Sequence, residues 1–167
     1  SILMFEDVCC FTGHRYLPAD RLGEIKKRLE AESEACIRQG VILFETGGAL
    51  GFDTMAAHTV LRLREGYAVR LRLVLPCPEQ AKLWKKEDIL VWRQIRQRAD
   101  ETVTVSPHYF SGCMHRRNRW LVEHSGRCIC CLGRETGGTA YTVRYARQRG
   151  VSVGNVWPGS DQILPLE

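Results

Sequence analysis

Thr46-Gly47-Gly48-Ala49-Leu50-Gly51-Phe52-Asp53-Thr54-Met55-Ala56-Ala57 stands between an apolar run and a helical pattern, so three glycines fall where a strand hands over to a helix. Glycines let a backbone approach an anion, and the free N–H groups and positive end of the following helix complete such a site. The spacing is neither GxGxxG nor GxxxxGK(S/T), so neither the dinucleotide fingerprint nor the P-loop applies. A tight turn that binds nothing has the same local pattern. A second glycine loop, Gly137-Gly138-Thr139, shifts the weight towards phosphate binding.

Working outward, Val41 to Phe44 reads as the strand that delivers this loop. Asp53 to Arg64 reads as the helix after it, with Ala56, Val60 and Leu63 on its buried side. Upstream, Val8 to Thr12 is a short strand, apolar on both faces, ending in Thr12-Gly13-His14-Arg15. Ligands of open α/β sheets bind outside the carboxyl ends of strands, so Thr12, Gly13, His14 and Arg15 are candidate ligand contacts. Pro18 and Asp20 open a helix, with Asp20 as N-cap and Leu22, Ile25, Leu29 and Cys36 on one face, and Gly40 ends it.

Downstream, Val69 to Leu75 is a strand and Glu79 to Ala99 a long amphipathic helix. Gln80 and Trp84 stand one turn apart at its start, placed to meet a base or a ribose. Thr102 to Val105 is a strand and Met114 to His124 a helix. Strands Cys128 to Leu132 and Val151 to Val156 are separated by the second glycine loop and a helix from Ala140 to Arg149. This alternation predicts βαβ units, hence a Rossmann-like, doubly wound, mainly parallel α/β sheet with helices on both faces.

The length suits one domain, residues 1–167 with a core over about 8–156. No apolar run approaches the roughly 20 residues that span a membrane, and Ser1 to Phe5 is too short for a signal peptide. The net charge of +5 owes much to two arginine clusters. Arg93, Arg96 and Arg98 read as a solvated face, whereas Arg116, Arg117 and Arg119 suit an acidic or phosphorylated partner.

Five of the eight cysteines, Cys9, Cys10, Cys128, Cys130 and Cys131, lie in strand-like runs, where cysteine usually acts as a small buried hydrophobe. Cys128 and Cys131, three apart on a strand, face opposite sides and cannot share a metal. Neither metal nor cofactor is expected, and free thiols imply a reducing cytoplasm. Homo-oligomerisation is left open.

Topology should bring Thr12 to Arg15, Gly47 to Asp53, Arg116 to Arg119 and Gly137 to Thr139 to one edge of the sheet. Gly47, Gly48, Gly51, Gly137, Gly138 and Thr139 would then offer backbone and hydroxyl groups to phosphate. Arg15 and Arg117 would neutralise it, and His14, Asp53 and Asn118 would orient sugar or base.

Phe11 to Arg15, Gly47 to Asp53, Gly112-Cys113-Met114 with Arg117-Asn118, and Gly137 to Thr139 together resemble the YpsA-like branch of the SLOG superfamily. Leu75-Pro76, Gln80 and Trp84 match that branch too. The resemblance covers Val8 to Val156 and implies a Rossmann-like fold whose pocket binds nucleotides or their derivatives. Gly48 to Asp53 with His58, and Arg117-Asn118-Arg119, are also similar to the DNA-processing DprA proteins, which implies single-stranded DNA as an alternative partner. Met114-His115 with Arg117 looks like a stretch of the LOG phosphoribohydrolases, which cut the N-glycosidic bond of nucleoside monophosphates. Their second glycine motif is followed by a glutamate, where this chain reads Thr139-Ala140-Tyr141-Thr142. Asp53 is the substitute general base, or simply an N-cap.

Overall fold

Period-two alternation sorts the strand residues into two cores. Cys9, Phe11, Ile129 and Cys131 pack with Phe44, Phe52, Leu71 and Leu73 on one face of the sheet. Cys10, Cys128 and Cys130 pack with Val74, Leu121 and Val143 on the other. Strands buried on both faces must be apolar throughout, which is why these segments read as continuous apolar runs. Cys128 and Cys131 do lie on opposite faces, and all eight thiols are buried and free.

The computed structural model describes residues 4–160, so the expectations for the first three residues and for the tail beyond Ser160 fall outside it. Strands β1 (Val8–Gly13), β2 (Leu43–Thr46), β3 (Arg70–Leu75), β4 (Glu101–Thr104), β5 (Arg127–Cys131) and β6 (Ser152–Asn155) form one sheet in the order β4-β3-β2-β1-β5-β6. Every pairing is parallel. The helices between them are α1 (Leu22–Arg38), α2 (Phe52–Leu63), α3 (Lys86–Arg98), α4 (Cys113–Glu123) and α5 (Gly138–Gln148).

From β1 the chain steps outward to β4 through α1, α2 and α3. α4 then returns it across the sheet to β5, on the other side of β1, and α5 leads on to β6. Right-handed crossovers in opposite directions put the first three helices on one face and the last two on the other. The direction reverses between β1 and β5, and a crevice opens above the carboxyl ends of strands that part in this way. The sheet is thus the doubly wound α/β arrangement expected. Among the described residues no helix is long and apolar enough to cross a membrane.

Three local expectations need correction. Asp20 is not a helix cap: it lies in a single 3-10 turn, Ala19–Arg21, with no capping hydrogen bond, and Leu22 is 41% exposed rather than on the buried stripe. The segment Glu79 to Ala99 is not one helix. Gln80, Lys82 and Trp84 each donate their N–H to the carbonyl three residues back, and α3 begins only at Lys86. Gln80 holds these turns against the first glycine loop: its Nε2 donates to the Gly47 carbonyl at 2.9 Å, and its Oε1 accepts from Trp92 Nε1 at 3.0 Å.

The third correction is β2, which extends through Glu45 to Thr46 instead of ending at Phe44. Glu45 is fully buried, in register with Arg72, which is in register with Glu101. Arg72 Nε donates to Glu45 at 2.6 Å and its NH1 to Glu101 at 2.8 Å, while Ser125 Oγ donates to the second Glu45 oxygen at 2.9 Å. Burial still pushes the Glu45 carboxyl up to about 7, with Arg72 opposing the shift.

Candidate ligand-binding site

A cavity of 460 Å³ opens at the reversal between β1 and β5. Thr12, Gly13 and His14 from the end of β1 line it, with Met114, Arg117 and Asn118 of α4. Ala49 and Asp53 enter from the first glycine loop and α2, and Arg134, Gly137, Gly138 and Thr139 from the second loop and α5. Arg15, Gln80 and Trp84 also line it, with Phe11, Tyr16, Leu121 and Thr136. Gly47, Gly48 and Gly51 do not reach it; Gly48 and Gly51 line a neighbouring cavity, and Gly47 is buried beneath Arg117.

The two glycine loops, alike in sequence, differ in what their amides meet. In the first, Asp53 Oδ2 accepts the Ala49 N–H at 3.2 Å, and the Gly47 amide also bonds to this carboxylate. Phe52, the first residue of α2, donates its N–H to the His14 carbonyl at 3.1 Å. Gly51 has φ +77°, and a Cβ there would overlap the Arg15 carbonyl, so the backbone of residues 14–15 lies directly over the start of this helix. The chain itself thus occupies the Ala49 and Phe52 amides at the start of α2. The Gly47 amide is turned to Asp53, whereas Gly48 and Gly51 open onto the neighbouring cavity.

At the second loop nothing intrudes. α5 starts behind Gly137 with no side-chain cap, and added Cβ atoms at Gly137 and Gly138 would meet nothing within 4 Å. The N–H groups of a helix's first turn have no partner within the helix, and Gly138 and Thr139 of that turn line the cavity. A helix start with an open approach favours a negative charge there.

Asp53 is 6% exposed, and burial raises its carboxyl to about 6 in spite of the Arg117 guanidinium and the loop amides that pull the other way. Arg117 is itself buried. It donates to the Gly47 carbonyl and, at 3.3 Å, to that of Val74, while its Nε donates to Asn118 Oδ1 at 2.9 Å. It therefore braces α4 against the loop more than it presents a free cation. Asn118, with its oxygen engaged, keeps its amide N–H groups for the cavity.

His14 is equally committed. Its Nε2 accepts the Gly133 N–H at 2.9 Å, and the Arg134 guanidinium stands 3.2 Å from its Nδ1. Burial first, then Arg134, lowers its pKa. Arg134 is not among the residues expected from sequence, although it stands three residues before the glycine pair; its signal is a cation leading directly into a glycine loop. Arg116 and Arg119 turn elsewhere, to Ser106 Oγ and the Tyr141 hydroxyl. Among the described residues no cluster of three His, Cys, Asp or Glu side chains is arranged to hold a metal.

An all-parallel, doubly wound sheet with a crevice at its reversal point and a glycine-led helix start beside that crevice defines a Rossmann-like domain. The chain belongs to the YspA SLOG family, whose YpsA model matches residues 12–152. It is 26% identical over 129 residues to a UPF0398 protein of Halalkalibacterium halodurans, covering 75% of this chain and 68% of that protein. It is also 27% identical over 139 residues to the SPbeta prophage-derived protein YoqJ of Bacillus subtilis, covering 75% and 81%.

Two DNA-processing proteins A share the fold. The Helicobacter pylori protein, described for its single-stranded DNA binding mode, superposes with TM-score 0.63 at 16% identity, over 89% of this chain and 64% of that one. The Streptococcus pneumoniae protein gives 0.66 at 17% identity, over 95% and 53%.

Proposed function

We propose that this domain binds a nucleotide or nucleotide derivative in the cytoplasm, with its phosphate on the N-terminus of α5. Asn118 would meet the sugar, and the remainder of the ligand would extend towards Arg15 and Trp84. The carrying observation is the contrast between the two glycine loops. One is closed by Asp53 and residues 14–15, and the other opens into a cavity of a size that small ligands occupy. Membership of a SLOG family supports the same reading. The phosphoribohydrolase alternative has less behind it, since Asp53, the only carboxylate among the described residues that line this cavity, already accepts amide N–H groups. Single-stranded DNA is the second reading: Tyr16, Tyr109 and Phe110 are exposed on loops at the carboxyl ends of the strands and offer stacking surfaces.

A thermal-shift panel of nucleotides and single-stranded DNA tests this. A ligand at 100 times its Kd adds about 2.7 kcal/mol of stability, and at least one nucleotide should raise the Tm accordingly. Gly138→Asp has room for its side chain and places a carboxylate where the phosphate would sit. The variant should fold at least as well, because an acidic residue at a helix start contributes roughly 0.3–1 kcal/mol, and it should lose the ligand-induced shift. A flat response of the wild type to every nucleotide, or a shift that survives Gly138→Asp, contradicts the proposal. A shift with DNA alone, falling steeply as salt rises, selects the second reading.

A further inference from the structure

A second cavity, of 610 Å³, lies beyond Arg15 and Trp84. The two cavities share Arg15, Ala49, Asp53 and Trp84 as a common wall, and the Arg15 guanidinium carbon stands 5.9 Å from the centre of the Trp84 ring. The second cavity has an apolar side made of Met55, Val91 and Ile95, and a basic side made of Lys26 and Arg62 with His58 between α1 and α3. Among the described residues neither Lys26, Arg62 nor Arg15 has a carboxylate within ion-pair distance. Burial lowers the His58 pKa, and Arg62, Arg98 and Lys26 lower it further, so positive potential converges on this opening. Among the described residues Asp88 is the one carboxylate lining it besides the buried Asp53.

A solvated basic face needs no hollow. Here uncompensated cations border a ligand-sized space with an apolar side, an aromatic ring and a guanidinium shared with the neighbouring site, which is a recognition surface for an anionic group carrying a flat, apolar body. Resting on the nucleotide reading above, we infer that the second cavity receives the second unit of a linear dinucleotide. The first unit sits with its 5′-phosphate on α5, the linking phosphate passes Arg15, and the second unit lies between Trp84 and the Lys26–Arg62 side. Trp84 and Arg15, which belong to both cavities, are the junction.

The experiment compares three probes by isothermal titration for each base: the 5′-nucleoside monophosphate, the 5′-phosphorylated dinucleotide and a ten-unit single strand. Wild-type protein should bind the dinucleotide at least ten-fold more tightly than the mononucleotide, with no further gain per site at ten units. Lys26→Glu/Arg62→Glu, at two exposed positions, should reduce that ratio to less than two-fold. Equal affinity for one unit and two, or a ratio unchanged in the double variant, overturns the second subsite while the nucleotide reading stands. Affinity that keeps rising to ten units overturns it in favour of a continuous strand track. Failure to bind any of the three probes overturns both.

Discussion

The Asp53 carboxylate sits among the loop amides as a bound anion would, and the arrangement has a pH signature. Its folded pKa, about 6, lies above the usual value of 3.8. A raised carboxyl contributes stability that is complete below the unfolded pKa and lost as pH rises through the folded one. For Asp53 that window runs from about pH 4 to 6, and a shift of this size corresponds to roughly 3 kcal/mol. Asp53→Asn removes the dependence, so the stability of the variant relative to wild type should rise with pH across this window and level off above it. His14, whose lowered pKa makes its contribution fall away as pH drops below about 6.5, is present in both proteins and cancels. Urea unfolding at several pH values gives the difference, and a difference independent of pH would show that the carboxyl is not perturbed. That Asp53 starts a helix after a glycine loop is legible from spacing. That its carboxylate turns back into the loop depends on Arg117 and on the backbone at residues 14–15, which arrive from distant parts of the chain.

Among the elements, neighbouring strands are locked laterally by the row Glu45–Arg72–Glu101, which crosses β2, β3 and β4 on the face covered by α4. Trp120 of α4 lies over Arg72, with the guanidinium carbon 5.3 Å from its ring centre. Arg72→Met leaves Glu45 buried without its cation, and breaking such a pair costs about 3–5 kcal/mol at pH 8. The loss should shrink at pH 5.5, where Glu45 is protonated, and Glu45→Leu/Arg72→Met should recover most of it. Denaturant titrations check this, and a loss below about 1 kcal/mol at pH 8 would mean that the pair is not a structural tie. Such a row is hard to read in advance. A glutamate at the end of a short apolar run looks like the end of a strand until its cross-strand partner is known. The late start of α3 has a similar origin, because the amphipathic pattern continues through turns that Gln80 fixes by long-range bonds. The alternation of strands and helices was legible, since strands buried on both faces are continuous apolar runs and several helices are bounded by glycine.

For the whole molecule, winding in two directions makes one crevice, and the reversal between β1 and β5 brings the loops after both strands to the same edge. Topology alone therefore predicts the meeting of Thr12 to Arg15 with Arg117, Asn118 and Gly137 to Thr139, and the cavity gathers them. It does not predict which helix start stays open, because that depends on side-chain occupancy within the crevice. The central claim is that the α5 cradle, and not the α2 cradle, receives phosphate. Backbone amide NMR during titration with a 5′-nucleoside monophosphate tests it most directly. Gly138, Thr139 and Ala140 should show saturable shifts larger than those of Ala49 and Phe52, whereas shifts centred on Ala49 and Phe52, or none at either loop, would contradict the account.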